Sequence, residues 1–456
     1  MLSLPPAIIS VLCHFAPLFS RPTHKKLLIL TMGHFLCRGR RTITNCLRSA
    51  GLSKERRYSE FYDVFRRASW SSFKASKILL FLIDKTFVKG GVLRITIDTS
   101  LERRRGPRIH GTGMHRDAVR SSKTKKAFSP GHNWLIACVL IRFPGTKTVW
   151  SLPFMSILLR PMKSTTMSKS MSDKLTERRH KKFTTYTEQL VHVLRRWLGS
   201  EREIVLVGDS AFCCRRICRA CIKRRVMFCT RFRLDAALYK PPPPPTGKRG
   251  RIRVVGDRLP NLSEIASDPD TVWETHEVQW YGGDYRKVDL ASGTALWYHN
   301  SLGNPVPIIW VLSRDHENPK EVIPFLCTDQ SCSPLEIIEC IVQRWSIETT
   351  FQEVRLHLGY ESIYTWAEKG TERVSPAVMA SYSIVCLVVA TAMEDRNEHI
   401  QPQKSAWYNK THVTFSDVHY YIKSLIIKES IFPHPSQNRP LRKKIIYEML
   451  YWAMAA

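Results

Sequence analysis

Val92-Leu93-Arg94-Ile95-Thr96-Ile97-Asp98 is the stretch that decides the fold class. Its β-branched and apolar residues have the composition of a strand at a sheet centre, and the run ends in a carboxylate. The pattern returns at Glu203-Ile204-Val205-Leu206-Val207-Gly208, again tipped by an acid, Asp209. Between the two, Trp134 to Ile141 reads as a second strand and Phe143-Pro144-Gly145 as a turn. Thr148 to Leu152 starts a third strand. A polar stretch then leads to a helical pattern around Tyr186 to Leu198. Strand and helix alternating in this way predict an α/β layer.

Upstream the period is helical. Ile43, Cys46, Leu47 and Ala50 fall at i, i+3, i+4 and i+7, with Gly51 as a stop. Phe61, Val64 and Phe65 begin a second stripe after Ser59, a candidate N-cap. Arg21 to Trp70 holds twelve basic and three acidic residues. Two readings stand side by side: helices against a DNA backbone with a helix-turn-helix-like turn at Gly51, or a helical cap with a solvated charged face.

Downstream, Pro241 to Pro245 and the basic run to Arg251 predict a stiff spacer. Trp273 to Val278, Tyr285 to Leu290, Thr294 to Tyr298 and Pro307 to Leu312 read as short strands, with turns at Gly282-Gly283 and Gly303-Asn304. This is a β-rich insertion. Helix returns over Glu336 to Leu358, where Cys340, Ile347, Phe351, Val354 and Leu358 form an apolar stripe. The uncharged run Ala377 to Met393 is at the short limit for a membrane span and reads as a buried core helix. The segment after about Gln401 is basic and helical.

The whole chain of 456 residues carries 70 Lys and Arg against 39 Asp and Glu, a net charge of +31. With 43% hydrophobic residues this is a globular protein and not a long disordered tail. Such an excess calls for a polyanion, nucleic acid before an anionic membrane surface, and suits no enzyme of small neutral metabolites. Thirteen scattered cysteines read as reduced thiols. No Lys or Arg precedes Arg21, so the apolar start lacks the n-region of a signal peptide. These features predict a cytoplasmic, nucleoid-associated protein.

Chemistry gathers at three places. A strand-terminal Asp is commonly a cap for the next turn, which is the bland reading of Asp98 and of Asp209. On the helix, Arg344, Glu348 and Arg355 lie within about 40° of one another at the edge of the apolar stripe. A glutamate there between two arginines is a candidate metal ligand flanked by phosphate binders, or else a surface ion pair.

Ile95 to Ser100, Val207 to Phe212 and Gln343 to Phe351 together resemble the DDE transposases of bacterial insertion sequences. The closest branch carries a β-rich insertion and a Tyr-Arg-Glu-Lys helix signature. Arg344, Glu348 and Arg355 keep its spacing, while Arg355 replaces the Lys and Ile341 replaces the Tyr. The resemblance covers roughly residues 20 to 395. It implies a ribonuclease-H-like catalytic core interrupted by the insertion, with a helical N-terminal domain and a helical C-terminal segment. The expected limits are 1–88 for the DNA-binding helices, 89–235 and 319–400 for the core, 236–318 for the insertion and 401–456 for the tail.

The resemblance further implies that Asp98, Asp209 and Glu348 bind two Mg²⁺ ions, with Mn²⁺ as a substitute. Paired metals stabilise both the entering and the departing oxygen of a phosphodiester displacement. Arg344 and Arg355 would hold phosphates, joined by Arg103, Arg104, Arg105, Lys123, Lys125 and Lys126 of the basic loop Leu101 to Lys126. The expected partners are transposon-end and target DNA and a second copy in the synaptic complex, with no membrane. Where the branch passes through a DNA hairpin, an aromatic of the insertion stacks on a displaced base. Trp273, Trp280, Trp297 and Trp310 are the choices.

Rival sites are weaker. Cys213, Cys214, Cys218, Cys221 and Cys229 include one CxxC but no second ordered pair for zinc. His110, His115 and His132 lie in or beside the basic loop, where DNA contact or solvation is the ordinary role. The competing functions are a non-catalytic DNA-binding protein derived from a transposase, which Ile341 favours, and a basic structural protein of a ribonucleoprotein.

Overall fold

The computed structural model of the chain describes residues 4–122, 124–160, 171–244, 253–299, 303–407 and 409–431. Most of the basic run after the prolines, Lys123 and the last 25 positions lie outside them.

Helices come first: α1 Pro6–Cys13, α2 Arg21–Leu36, α3 Ile43–Ser49, α4 Ser59–Arg66 and α5 Ser72–Ile83. Thr42 caps α3 through the Asn45 N–H, and Ser71 caps α5 through that of Lys74. Ser59 is already helical, so the position before α4 is Tyr58, which makes no side-chain cap. Strands follow as β1 Leu93–Arg103, β2 Gly113–Arg116, β3 Phe128–Arg142 and β4 Val149–Leu158. Then come α6 Met171–Leu198, β5 Ile204–Gly208, α7 Arg215–Lys223, β6 Met227–Arg231, β7 Leu238–Tyr239 and α8 Leu262–Ser267. The strands β8 Glu274–Gln279, β9 Tyr285–Trp297, β10 Val306–Asp315 and β11 Val322–Cys327 complete the β structure. The chain closes through α9 Pro334–Arg344, α10 Ser346–Leu358, α11 Glu368–Arg396 and α12 Phe415–Ile431.

Several elements differ from the sequence expectation. β1 does not end at Asp98 but runs to Arg103. Beyond Asp98 the buried positions shift phase to Ser100 and Glu102, whose polar side chains an apolar pattern does not reveal. β2 falls inside the expected basic loop, and β3 starts six residues early. The two strands expected between Tyr285 and Tyr298 are one, β9, paired along its length with β10. The helix expected from Glu336 to Leu358 is divided at Trp345, although Trp345 keeps right-handed helical angles (φ −56°, ψ −25°).

Two units interleave along the chain: Met1–Lys89, Thr99–Lys163 and Glu348–Ala456 make one, Gly90–Asp98 and Ser164–Ile347 the other. In the first, α11 packs on β4, α5, α1, α4 and α12. The Ser383 hydroxyl donates to the Pro153 carbonyl at 2.6 Å, fixing α11 to β4. α11 is long and apolar enough to cross a membrane, and 67% of its most apolar window is buried here. Val385, Val388 and Val389 are fully enclosed, as a core helix requires.

In the second unit the first half of β1 pairs in parallel with β5, and β5 in parallel with β6. β11, β10 and β9 then extend the sheet antiparallel, with β7 and β8 both on β9. The result is a mixed α/β architecture. α9 packs on β5, β6, β8, β9 and β11, while α7 contacts α6, β6 and β10.

The first unit also buries a charge. Glu102 on β1 accepts from Trp134 Nε1 at 2.8 Å and from the Ser375 hydroxyl at 2.7 and 2.8 Å. Arg104 pairs with it, and His132 Nδ1 stands 3.4 Å away. Burial alone would raise this carboxyl, but His132, Arg104, Ser375 and Trp134 together hold it down at about 2. Its contribution to stability is therefore full above pH about 4.5 and is lost as pH falls through about 2. A shift of that size corresponds to about 3 kcal/mol. Glu102→Gln should lower stability at neutral pH by a few kcal/mol, on the order of 3, and flatten the acid limb. Denaturant melts of both proteins from neutrality to about pH 3 check this; an unchanged acid limb would count against the assignment.

Candidate active site

The register of β1 on β5 builds the site. Leu93 pairs with Ile204 and so on to Ile97 with Gly208, which leaves Asp98 and Asp209 each one residue beyond the last pair. Adjacent strands lie roughly 4.8 Å apart, so the two acids stand side by side where the β1–β5 pairing stops. Alternation puts Arg94, Thr96 and Asp98 on one face, together with Val205, Val207 and Asp209.

α9 covers that face. Val205 and Val207 share an apolar cluster with Ile337, Ile338, Cys340 and Val342. Charge contacts fix the helix at both ends. Arg94 Nη2 lies 3.8 Å from Glu336 Oε1, and Arg344 Nη1 donates to Asp98 Oδ2 at 3.2 Å. Four residues of strand span roughly 13 Å and eight of helix roughly 12 Å, so the two contacts suit a helix running alongside β1. Both partners of the second pair are largely enclosed, Arg344 at 15% and Asp98 at 17% side-chain exposure.

Asp209 is held differently. Its Oδ1 accepts from the Ala211 N–H at 3.0 Å, capping the short turn Ser210–Phe212. Its carbonyl accepts from the buried Thr230 hydroxyl at 2.7 Å. Gly208 before it leaves no room for a side chain, since a Cβ would meet the Phe212 side chain at 3.0 Å. Burial pushes the Asp209 carboxyl up, and the Ala211 amide and the Arg344 charge offset this only in part. Such a group favours a nearby cation. Two oxygen donors so placed, with Arg344 beside them, suit a hard divalent ion and a phosphate.

The other expected residues divide. Glu348 lies in the first turn of α10 and is half-buried. Arg355 Nη2 donates to the Ser100 hydroxyl at 2.8 Å and the Leu101 carbonyl at 3.4 Å, with Glu361 at 3.7 Å. Ile341 packs on the cluster beneath α9. Arg103 and Arg104, expected to contact DNA, are turned into the fold. Arg103 makes a two-pronged pair with Asp117 at 2.7 and 2.9 Å. Arg104 is 5% exposed between Glu102, the Glu361 carbonyl and the Tyr364 ring. Asp117 and Glu102 escaped the sequence reading because a basic loop gives no sign that its few acids face inward. Arg105, Lys125 and Lys126 are exposed, and Lys123 lies outside the described residues.

The rival groups find internal roles. His132 is buried, and its Nε2 is 2.8 Å from the His110 carbonyl; His115 is on β2. His110, Glu368 and Glu372 are the only group with metal-holding geometry among the described residues, but Arg160 already pairs with both glutamates. Cys218 and Cys221 are enclosed on α7, and burial pushes both thiols up. The four tryptophans have partners within the fold: Trp273 under Arg314, Trp280 beside Tyr281, Trp297 against Phe232, and Trp310 in the core.

Removing the Arg344 charge should raise the Asp209 carboxyl further, because a cation favours the ionised form. Arg344→Gln, followed by carboxyl-carbon NMR titration, checks the sign. A downward shift of Asp209 would show that Arg344 does not act on it.

Comparison with known proteins agrees with this geometry. No curated protein matches the sequence. The family model of the DDE superfamily endonuclease matches residues 14–299, well over half of the chain. That stretch takes in Asp98 and Asp209 and stops ahead of Arg344 and Glu348. Endonucleases of this superfamily act on DNA and usually use divalent metals. A match of this extent, over both acid-bearing strands, means that the chain belongs to the DDE superfamily endonuclease family.

Proposed function

We propose that the protein is a transposase that cuts DNA at the ends of its own element and joins them to a target. The observation that carries this reading is the Asp98–Asp209 pair on adjacent parallel strands, with Arg344 bonded to one and acting on the other. Glu348 enters as the third carboxylate from chain position. It follows Arg344 by four residues in the sequence, the spacing that the branch signature has.

The donor set is all oxygen, which fits Mg²⁺, with Mn²⁺ as a substitute. When bound, two such ions stabilise charge on the attacking and leaving oxygens of an in-line displacement. The chain's own part is placement. Ala211 and Thr230 fix Asp209, and Arg344 orients Asp98 and keeps a guanidinium at hand for a phosphate. Arg105, Lys125 and Lys126 are exposed for the DNA backbone, as are many side chains of the basic N-terminal helices. The insertion-bearing branch, the five segment limits given above, pairing of two copies at synapsis and a nucleoid location all belong to this proposal.

A second reading, a DNA-binding protein without catalysis, draws on Ile341. It supplies a packed hydrocarbon where the branch signature has a phenol. Purified protein with end DNA and Mg²⁺ separates the two. Wild type should cleave, while Asp98→Ala and Glu348→Gln should bind equally and lose cleavage by 10³-fold or more, on the order of what such carboxylates supply. Cleavage surviving in Asp98→Ala refutes its role, and binding without any cleavage by wild type selects the second reading. Replacing Arg105, Lys125 and Lys126 with Ala should reduce the slope of log affinity on log salt by about 2 to 3. An unchanged slope removes that loop from the interface.

A further inference from the structure

Glu368 and Glu372 open α11 four residues apart, which puts their carboxylates side by side on one helix face. Arg160 Nη2 lies 3.4 Å from Glu368 Oε1 and also pairs with Glu372. Two carboxylates and one guanidinium leave this group negative, within a chain whose net charge is +31.

His110 faces the same group. Its Nε2 stands 3.5 Å from Glu368 Oε1, is shut off from solvent and has no hydrogen-bond partner. A ring nitrogen left so costs free energy unless something fills the place it faces. The backbone on either side of the ring is fixed. The His110 N–H donates to the Trp366 carbonyl at 3.1 Å, just ahead of α11, and His132 Nε2 is 2.8 Å from the His110 carbonyl. His132 is itself enclosed beside Glu102. The core of the unit thus presents this imidazole to the glutamates. One donor atom from each of His110, Glu368 and Glu372 lies within 4.8 Å of the other two. Ligands of a tetrahedral zinc ion sit about 2.0–2.2 Å from the metal and so roughly 3.3–3.5 Å from one another. His110 and Glu368 already have that separation, and a small turn of the Glu372 side chain closes the rest.

We propose that His110, Glu368 and Glu372 bind one Zn²⁺ ion, which takes the place of the Arg160 guanidinium. Imidazole nitrogen beside carboxylate oxygen suits zinc over Mg²⁺, so the site differs in chemistry from the all-oxygen set of Asp98 and Asp209. The Arg160 side chain is 49% exposed, and an ion pair as open as this costs little to give up. Glu368 is exposed as well, which leaves room for a water as the fourth ligand. The ion ties the segment carrying the exposed Arg105 and Arg108 to the start of α11. It steadies a basic loop, and it does so whether or not the protein cleaves DNA.

The test titrates the reduced full chain with Zn²⁺ in excess Mg²⁺, followed by calorimetry, and then with Co²⁺, followed by absorption. One Zn²⁺ per chain should bind without being displaced by Mg²⁺, and the Co²⁺ complex should lack a thiolate charge-transfer band. His110→Ala and Glu372→Gln should weaken binding at least about a hundredfold, beyond what the loss of an outer hydrogen-bond partner costs. Arg160→Ala removes the competing cation, and it should bind as tightly as wild type or up to about fivefold tighter. Zinc should also slow tryptic cleavage after Arg105 and Arg108 in wild type and leave it unchanged in His110→Ala. Metal-free melting curves show whether each variant is folded, and the Arg160→Ala result stands without the ligand variants. Absence of binding, displacement by Mg²⁺, a thiolate band or weaker binding in Arg160→Ala would each overturn the proposal. Unchanged affinity in His110→Ala would mean an adventitious ion only and overturn it as well.

Discussion

The parallel register between β1 and β5 is the constraint on which the candidate site depends. A slip of one residue would turn Asp98 to the opposite face and remove it from Asp209. Apolar burial sets part of this register, since Leu93, Ile95 and Ile97 are fully enclosed. The polar face sets the rest through Arg94 with Glu336 and Arg344 with Asp98. Because these contacts sit at opposite ends of α9, they fix the helix along the strand as well as onto it. Arg344 therefore belongs to the architecture and to the electrostatics together.

Beyond Asp98 the same strand is organised by different physics. Glu102 is enclosed, and an enclosed carboxylate persists only if its partners match its demand for hydrogen bonds. They come from Arg104 just after β1, from β3 and from α11, the last far away in sequence. The same holds for Asp117, which takes both prongs of Arg103 and the Ser129 hydroxyl. Such networks hold strands in place where an apolar face would otherwise be needed, and they leave little hydrophobic trace.

That difference explains what could be read from sequence. β1 as far as Asp98, β5, and the stripe through Cys340, Ile347 and Leu358 are apolar at regular spacing, so pattern alone finds them. Ser100 and Glu102 are buried among hydrogen-bond partners, and the strand from Leu101 on reads as loop. β9 was divided by its small central residues, Ser292 and Gly293, of which Gly293 leaves space for the Trp310 ring. An arginine facing DNA and one neutralising an internal acid have the same local sequence. Asp117, fourteen residues from Arg103, is what separates the two cases.

Where the acids lie gives the charge excess its meaning. Glu102, Asp117, Asp289 and Asp417 are enclosed and each is paired with cations of the fold. Those pairs are neutral, so the surplus of basic residues falls to exposed positions such as Arg105, Lys125 and Lys126. Asp209 breaks the pattern, because burial raises its carboxyl and the Arg344 charge that offsets this in part also pairs with Asp98. Where the β1–β5 pairing stops, two enclosed carboxylates thus share the Arg344 guanidinium and call for a further cation. A divalent ion would meet that need, while the surrounding basic surface would bring the polyanion on which it acts.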